Sequence, residues 1–543
     1  MMLYNDEELL TILQPSNNDI SSGSSLTDSD NESEHEESST TWSETAFTPE
    51  LCEFNDYIAG INSNGVDFQS KELECFLHFL GDDIILKIIE FTNAQHQKFI
   101  RRCDIRVFSR LQNWREISVA EMYVFLAVTF LFTRNKHLTI EEHWATDHLL
   151  QSPIFSKTMS RNRYTTILGL LSFALPGTDS GHVLKDILPL LQHIKNSFRS
   201  SLTPYRDLCI DESIMPYKGY ISIKQYIPNK RNRFGIKLFI MCDVKTKFII
   251  EFIIYCGSRT EIDDPNNLGI TGAVVTNLLE GLTDENRRIY ADNWYSSPKL
   301  YQYLHNRKTY ACGTVRLNRL KKAGAGNFKP LKKGEIHALY NKPLMALKYK
   351  DKRDIYMLST CHTAEFGPTN KYNRQTGLPV MKPEIIIDYN KKKGIVDNTD
   401  MLLHSVQCIR KSKIWHKKLG LHLIDLCMLN AHAFFKIFHT NTSLADFQLG
   451  VIRQLIEKYK APELEYSIPT TSRSTSALRL AAQNLADHMP EYTKGKKSRP
   501  CFVCQHTKLH ERRRRESRFM CEICQVTLCI VPCFKIYHKQ NEF

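Results

Sequence analysis

Hydrophobic positions change their spacing along this chain, and the changes divide it. From residue 15 to about 48 the text is Ser, Thr, Asn, Asp and Glu with few aliphatics, as in TDSDNESEHEESS. Such a stretch cannot bury enough apolar surface to offset its ordering entropy, so residues 1–48 are expected to be a disordered acidic tail, solvating or open to phosphorylation at its Ser and Thr. From residue 70 to about 205 the period is helical. Ser118 and Glu121 have capping-box spacing ahead of the apolar run 122–132, read as a buried helix, and Thr139 with Glu142 repeats the device. Near Asp207 the period shortens. Runs of β-branched, aliphatic and aromatic residues at 208–210, 236–241, 248–255, 288–290 and 310–315 read as strands. Residues 243–247 read as a hairpin turn and 268–282 as a helix, so three strands, a helix and another strand predict an α/β arrangement rather than a sandwich. Residues 316–385 are poor in pattern and are read as an insertion. Helical signal returns from about 398 through 414–438, and 461–497 is linker-like in Pro, Ser and Thr.

Charge sharpens the picture. The chain of 543 residues carries 72 Lys+Arg against 59 Asp+Glu, a net of +13. Residues 1–70 hold no Lys or Arg and 15 acids, so the remainder carries 72 − (59 − 15) = +28. A body this positive calls for a polyanionic partner, nucleic acid before anionic membrane. The run 122–132 is about half the ~20 residues needed to span a bilayer, which argues against a membrane. The acidic start lacks a secretory signal. Sixteen Cys, six of them in the last 43 residues, then predict reduced thiols and metal sites in an intracellular protein.

Three aspartate positions stand where strands end or a helix begins. Asp211 follows a strand in IDES, Asp292 follows another in YADNWYSS, and Asp397 and Asp400 stand three apart in GIVDNTD, on one face if helical. Mg²⁺ (or Mn²⁺) takes one or two protein carboxylates with water and phosphate. Two such ions suit phosphoryl transfer. Turn and cap aspartates would have the same spacing, so the surrounding strings carry the discrimination.

Those strings, IDESIMPYKG, QYIPNKRNRFGIKLF, YADNWYSS, YACGTVRLNR and DYNKKKGIVDNTD, occur in that order. Together they resemble the piggyBac transposase family over roughly residues 70–440. The resemblance implies an RNase H-like catalytic core in two parts, 206–315 and 386–405, interrupted by an insertion domain at 316–385. It also implies helical DNA-binding and dimerisation segments at 70–205 and 406–460, with the linker 461–497 and a small zinc-binding domain at 498–543. It places catalytic metal ligands at Asp211, Asp292 and Asp397, with Asp400 as a supporting acid. Where the family has Gly-Gly before Val-Asp, Gly394 is here followed by Ile395, which restricts the backbone ahead of Asp397. The implied activity is metal-dependent strand cleavage at transposon ends and strand transfer into TTAA target DNA by a nuclear homodimer, with no small-molecule substrate. The competing expectation is a domesticated, catalytically silent DNA- or chromatin-binding derivative.

Basic residues fit a DNA partner. Lys218, Lys224, Lys230, Arg231 and Arg233 interleave with aromatic residues, pairing phosphate-neutralising charge with faces on which bases stack. A second string runs from Arg410 to Lys418 and includes Lys417. The C-terminal block reads C-x2-C, C-x2-C, Cys529, Cys533, His538, with Cys501, Cys504, Cys521 and Cys524 as the paired thiolates. This spacing is a strong zinc signal, and six Cys plus one His predict two interleaved Zn²⁺ ions with His506 or His510 as the eighth ligand. Residues 494–543 hold twelve Lys+Arg against four Glu. That excess, which includes Arg512, Arg513, Arg514 and Arg515, favours DNA over a chromatin peptide and suits nuclear import.

Overall fold

A computed structural model describes residues 41–62, 66–102, 109–177, 181–227, 233–372, 376–408, 412, 414–460, 488–493, 498–506, 515–521, 524 and 526–539. Two compact units result, Met1–Lys460 and Ala461–Phe543.

The first unit opens with helices α1 (Glu72–Phe79), α2 (Asp82–Arg102), α3 (Val119–Leu131), α4 (Pro153–Thr158), α5 (Arg161–Leu170) and α6 (Leu188–Ser201). Ser118 caps α3 as its sequence predicts, its Oγ accepting from Glu121 N at 3.1 Å. The other half of the box is redirected. Glu121 Oε1 and Oε2 accept from Arg163 Nε at 2.8 Å and Nη2 at 2.7 Å, so the acid ties α3 to α5 instead of reaching back to the cap.

Strands β1 (Gly60–Ile61) and β2 (Leu202–Thr203) pair with each other. A nine-stranded sheet then forms from β3 (Asp207–Pro216), β4 (Lys224–Tyr226), β5 (Phe234–Asp243), β6 (Ile249–Ile254), β7 (Arg288–Ala291), β8 (Tyr310–Thr314), β9 (Ile336–Asn341), β10 (Leu344–Lys350) and β11 (Asp354–Ser359). Its order is β4-β5-β3-β7-β8-β11-β10-β9, with β6 also paired to β5. β3, β7 and β8 run parallel and the other pairings are antiparallel. The parallel connections need crossovers, supplied by α7 (Gly269–Leu278) before β7 and α8 (Pro298–Asn306) before β8. The turn predicted at 243–247 is present: the buried Asp243 accepts from Thr246 N at 2.7 Å and from Tyr205 N at 2.9 Å, and Lys247 takes the left-handed conformation at φ 64°.

The segment 316–385, expected as a patternless insertion, differs from that reading. After α9 (Leu317–Lys322) it supplies β9, β10 and β11, which extend the central sheet beyond β8, and then a hairpin of β12 (Phe366–Tyr372) and β13 (Pro379–Pro383). Helices α10 (Glu384–Lys392), α11 (Ile395–Val406), α12 (Trp415–Phe438) and α13 (Leu444–Tyr459) complete the unit. The 24-residue α12 is long and apolar enough to cross a membrane, but 83% of its apolar window is buried inside the protein, which makes it the central core helix. Phe434 stacks on Phe248 at 5.0 Å, and Asn430 pairs both amide atoms with the backbone of Ile249, satisfying a strand end that the helix covers.

The tail boundary also moves. Residues 41–48, expected to be disordered, belong to a strap laid on the core. Ser43 exchanges both backbone hydrogen bonds with Tyr340 of β9, at 2.9 and 2.8 Å, and Trp42 Nε1 donates to Ala323 O at 2.6 Å. Phe47 meets Tyr340 edge-on at 5.8 Å, Cys52 N donates to Tyr310 OH at 2.8 Å, and Asn286 donates to Glu53 O at 3.0 Å. Two aromatic anchors in otherwise polar text are too sparse to register as a pattern. Residues 1–40 lie outside the described residues.

Candidate active site and metal centres

Parallel register builds the carboxylate site. β3 and β7 pair with Ile210 opposite Ala291, so the next residues, Asp211 and Asp292, emerge side by side. Asp397 comes from the first turn of α11, where the helix dipole favours a carboxylate. All three line one cavity of about 240 Å³, together with Glu212, Tyr389 and Lys393. Thr314, the last residue of β8, donates to Asp292 Oδ1 at 2.7 Å, and Glu212 N donates to Asp211 Oδ1 at 2.8 Å. Burial pushes the Asp211 carboxyl up to about 8, and the negative charges of Glu212 and Asp397 add to the effect. Three carboxyl groups gathered around one space, one of them strongly disfavoured as an isolated anion, form a donor set that fits a hard divalent cation.

Asp400 stands apart. One turn beyond Asp397, its Oδ1 accepts from Ser213 Oγ at 2.7 Å, and it is not among the cavity's lining residues. Ser213 lies two residues after Asp211, so the pairs 211/397 and 213/400 form successive rungs between β3 and α11. Ile395, flagged for its branched side chain, starts α11 with its side chain buried at 6% exposure; the preceding Gly394 has φ −83°, a conformation open to any residue.

Tyr389 and Lys393 were not foreseen, since only the fold brings the end of α10 to these strands. Behind the cavity, Tyr290 OH donates to Asp388 Oδ2 at 2.7 Å, and Lys392 bridges Asp388 (2.8 Å) and Asp207 (3.1 Å). His362 Nε2 lies 3.1 Å from Asp388. Burial alone would raise the Asp388 carboxyl, but hydrogen bonds from His362, Lys392 and Tyr290 hold it well below the usual carboxylate range.

The predicted basic residues divide. Lys218, Arg233 and Arg515 are exposed, and Lys224 is half-buried beside aromatic rings. Lys230, Arg231, Arg410, Arg512, Arg513 and Arg514 fall outside the described residues. Lys417 is a correction. It is 7% exposed and its Nζ donates to the carbonyls of Leu168 and Gly169, capping the end of α5 rather than facing DNA. Burial lowers its ammonium to about 7.

In the second unit, two groups of four side chains converge, each with its ligand atoms within 4.8 Å of one another. Cys501, Cys504, Cys529 and Cys533 form one; His488, Cys521, Cys524 and His538 form the other. The groups interleave along the chain, as the spacing predicts. The eighth member, however, is His488, in the segment read as linker, and not His506, whose Nδ1 engages Phe502 O at 2.9 Å; His510 is outside the described residues. His488 Nδ1 lies 3.4 Å from both Cys521 Sγ and Cys524 Sγ, and Cys524 Sγ lies 3.6 Å from His538 Nε2. A tetrahedral ion with bonds of about 2.0–2.3 Å requires ligand–ligand edges of roughly 3.3–3.8 Å, so the set fits Zn²⁺. His538 Nδ1 donates to Phe534 O at 2.8 Å, which makes Nε2, on the Cys524 side, the ligating nitrogen. A strand at Pro490–Tyr492 pairs with Phe519–Cys521 and carries His488 into place.

Comparison with known proteins points to one family. The family model Transposase IS4 matches residues 71–432, more than half the chain. The human PiggyBac transposable element-derived protein 3 is 22% identical over 481 residues, covering 85% of this chain and 75% of that protein. The human PiggyBac transposable element-derived protein 2 is 22% identical over 378 residues, 66% of this chain and 62% of that protein. Among solved structures, the piggyBac transposase synaptic complex with hairpin DNA aligns with a TM-score of 0.64 at 23% identity, covering 84% of this chain and 95% of that one, which shows a shared mixed α/β fold. A family match across the segment that gathers Asp211, Asp292 and Asp397, beside relatives of one kind, makes this chain a member of the piggyBac transposase family.

Proposed function

We propose that the chain is a metal-dependent DNA transposase that cleaves strands at transposon ends and joins them to TTAA target DNA. The convergence of Asp211, Asp292 and Asp397 on one cavity carries the reading. The strands β6-β5-β3-β7-β8, three antiparallel followed by two parallel to β3, support an RNase H-like core. Asp211, Asp292 and Asp397 would hold Mg²⁺ or Mn²⁺. When bound, such ions supply activation of the attacking oxygen and stabilisation of the leaving one. The chain's own residues set the geometry: Thr314 fixes Asp292, the Glu212 amide fixes Asp211, and the Ser213–Asp400 bond holds α11 in register against β3. Lys218, Lys224 and Arg233 supply positive charge for the phosphate backbone. In the second unit, Zn²⁺ at the two four-residue centres would order a basic module that binds the transposon ends. A homodimer acting in the nucleus completes the proposal.

The test is strand cutting of labelled end DNA by the full-length protein in Mg²⁺ or Mn²⁺. Wild type should nick the DNA, while Asp211→Asn or Asp292→Asn should bind it and leave it intact. An amide keeps the shape but loses the charge that holds the ion. Binding without cutting by wild type in either metal would overturn the catalytic reading and leave a transposase-derived DNA-binding protein.

A further inference from the structure

The hairpin that continues from the catalytic strand carries, beside the cations Lys218, Lys224 and Arg233, exposed rings to which the cutting reaction gives no role. In the register of β3 with β5, Asp211 is opposite Ile240, Ser213 opposite Leu238 and Met215 opposite Ile236; β4 then sets Tyr226 opposite Phe234. Side chains alternate along a strand, so Tyr226 and Phe234 stand on the face that carries Asp211, six positions further along β5. At about 3.3 Å per residue that is roughly 20 Å from the carboxylate.

Aromatic rings in this core are buried, but these are not. Tyr226 is 47% exposed, Phe234 43%, and Tyr220, in the loop between β3 and β4, 89%. Tyr226 and Phe234 lie 4.8 Å apart with their planes tilted by 36°. Lys224 Nζ lies 5.5 Å from the Tyr220 ring and 5.9 Å from the Phe234 ring. Lys218 and Arg233 are exposed beside them, and residues 217–226 contain no Asp or Glu. Paired DNA hides its base faces within the stack and presents phosphates. Unpaired DNA presents both, and a row of exposed rings interleaved with cations matches both.

We propose that Tyr220, Tyr226 and Phe234 form a stacking platform for unpaired bases of the DNA strand leading away from the cleavage cavity. The proposal rests on the DNA-cutting reading and specifies the state of the substrate, locally opened rather than paired throughout. Twenty ångströms is about six nucleotides at B-form rise, so the opened segment falls within about six nucleotides of the cut.

The experiment uses full-length protein and two probes of equal length: a fully paired duplex, and one with an unpaired stretch containing 2-aminopurine. Wild type should change the 2-aminopurine fluorescence and bind the opened probe more tightly. Tyr226→Ala and Phe234→Ala should each weaken the opened probe by roughly five- to 150-fold and the paired probe by less than about twofold. Tyr226→Phe, which keeps the ring, should retain wild-type affinity. Thermal unfolding checks the fold, and Tyr220→Ala, at a residue with little packing to lose, replaces any variant that unfolds. No loss, or equal loss on both probes, overturns the platform. The two readings fail separately. Cutting by wild type with no discrimination by the Ala variants removes the platform alone, whereas discrimination without cutting removes the catalytic reading alone.

Discussion

Asp397 and Asp400 share one helix face, but only Asp397 lines the cavity, and this difference has a measurable size. Asp400→Asn keeps an amide oxygen able to accept from Ser213 Oγ and converts a charged hydrogen bond of 2.7 Å into a neutral one. Charged hydrogen bonds contribute about 1.5–3 kcal/mol and neutral ones about 0.5–1.5 kcal/mol, so the change costs about 1–1.5 kcal/mol. If the whole loss falls on the register of α11, and hence on the placement of Asp397, cutting slows roughly five- to thirteenfold. Asp397→Asn removes a proposed ion ligand. With several kcal/mol of transition-state stabilisation at stake, about 4 kcal/mol corresponds to roughly a thousandfold. Single-turnover nicking of end DNA across a Mg²⁺ titration separates the two. Asp400→Asn should keep the wild-type metal dependence at a lower plateau, while Asp397→Asn should stay near background. Equal losses in the two variants, with a shifted metal dependence in Asp400→Asn, would make Asp400 a ligand and refute the two-rung geometry.

Elemental analysis should find about two zinc ions per chain, falling by one in His488→Ala and unchanged in His506→Ala; the reverse pattern would return the eighth ligand to the cysteine block. Lys417 is held with its ammonium lowered to about 7 by burial, so between about 7 and its ordinary value of 10.5 the unfolded chain binds more protons than the folded one. Wild type should therefore gain stability relative to Lys417→Met as pH rises through that window, read by denaturant unfolding at a series of pH values. A flat difference would mean that Lys417 stays charged when folded. Deleting residues 1–40, which carry acids and no Lys or Arg but stop short of the strap, should raise nonspecific DNA affinity most at low salt, where tethered acids compete best for the basic body. Superimposable isotherms at every salt concentration would leave the tail a solubility role only.

What the sequence revealed, and what it hid, follows from the range of each signal. The strands around Asp211 and Asp292 announce themselves because buried β-branched and aromatic runs are local. The ordered strings mark the three aspartates because the family resemblance is carried by several residues in a fixed order. The extension β9 to β11 stayed hidden behind Lys- and Gly-rich connections that dilute composition over any window. Lys417 misled because a basic string predicts a surface, whereas α12 is buried on nearly every side and one of its cations meets carbonyls across the core. His488 stands alone 13 residues before Cys501 (501 − 488), in linker-like text and without the close second ligand that makes each C-x2-C pair recognisable. Tyr389 and Lys393 reach the cavity only once α10 has crossed to the sheet.

The strap sets a timetable for the ribosome. Trp42, Ser43 and Phe47 are made early, yet the partners of Trp42 and Ser43, Ala323 and Tyr340, follow 281 and 297 residues later (323 − 42 and 340 − 43). At about 5–20 residues per second, the wait between Ser43 and Tyr340 is roughly 15–60 s. For that interval the nascent chain displays two unsatisfied aromatic anchors. When β9 emerges, its outer edge stays open until a segment threaded some 300 residues earlier returns to close it. On a crowded polysome the nearest alternative for that edge is the strap of a neighbouring chain, so the yield of folded monomer should depend on how densely ribosomes are loaded, a sensitivity that the finished protein no longer displays.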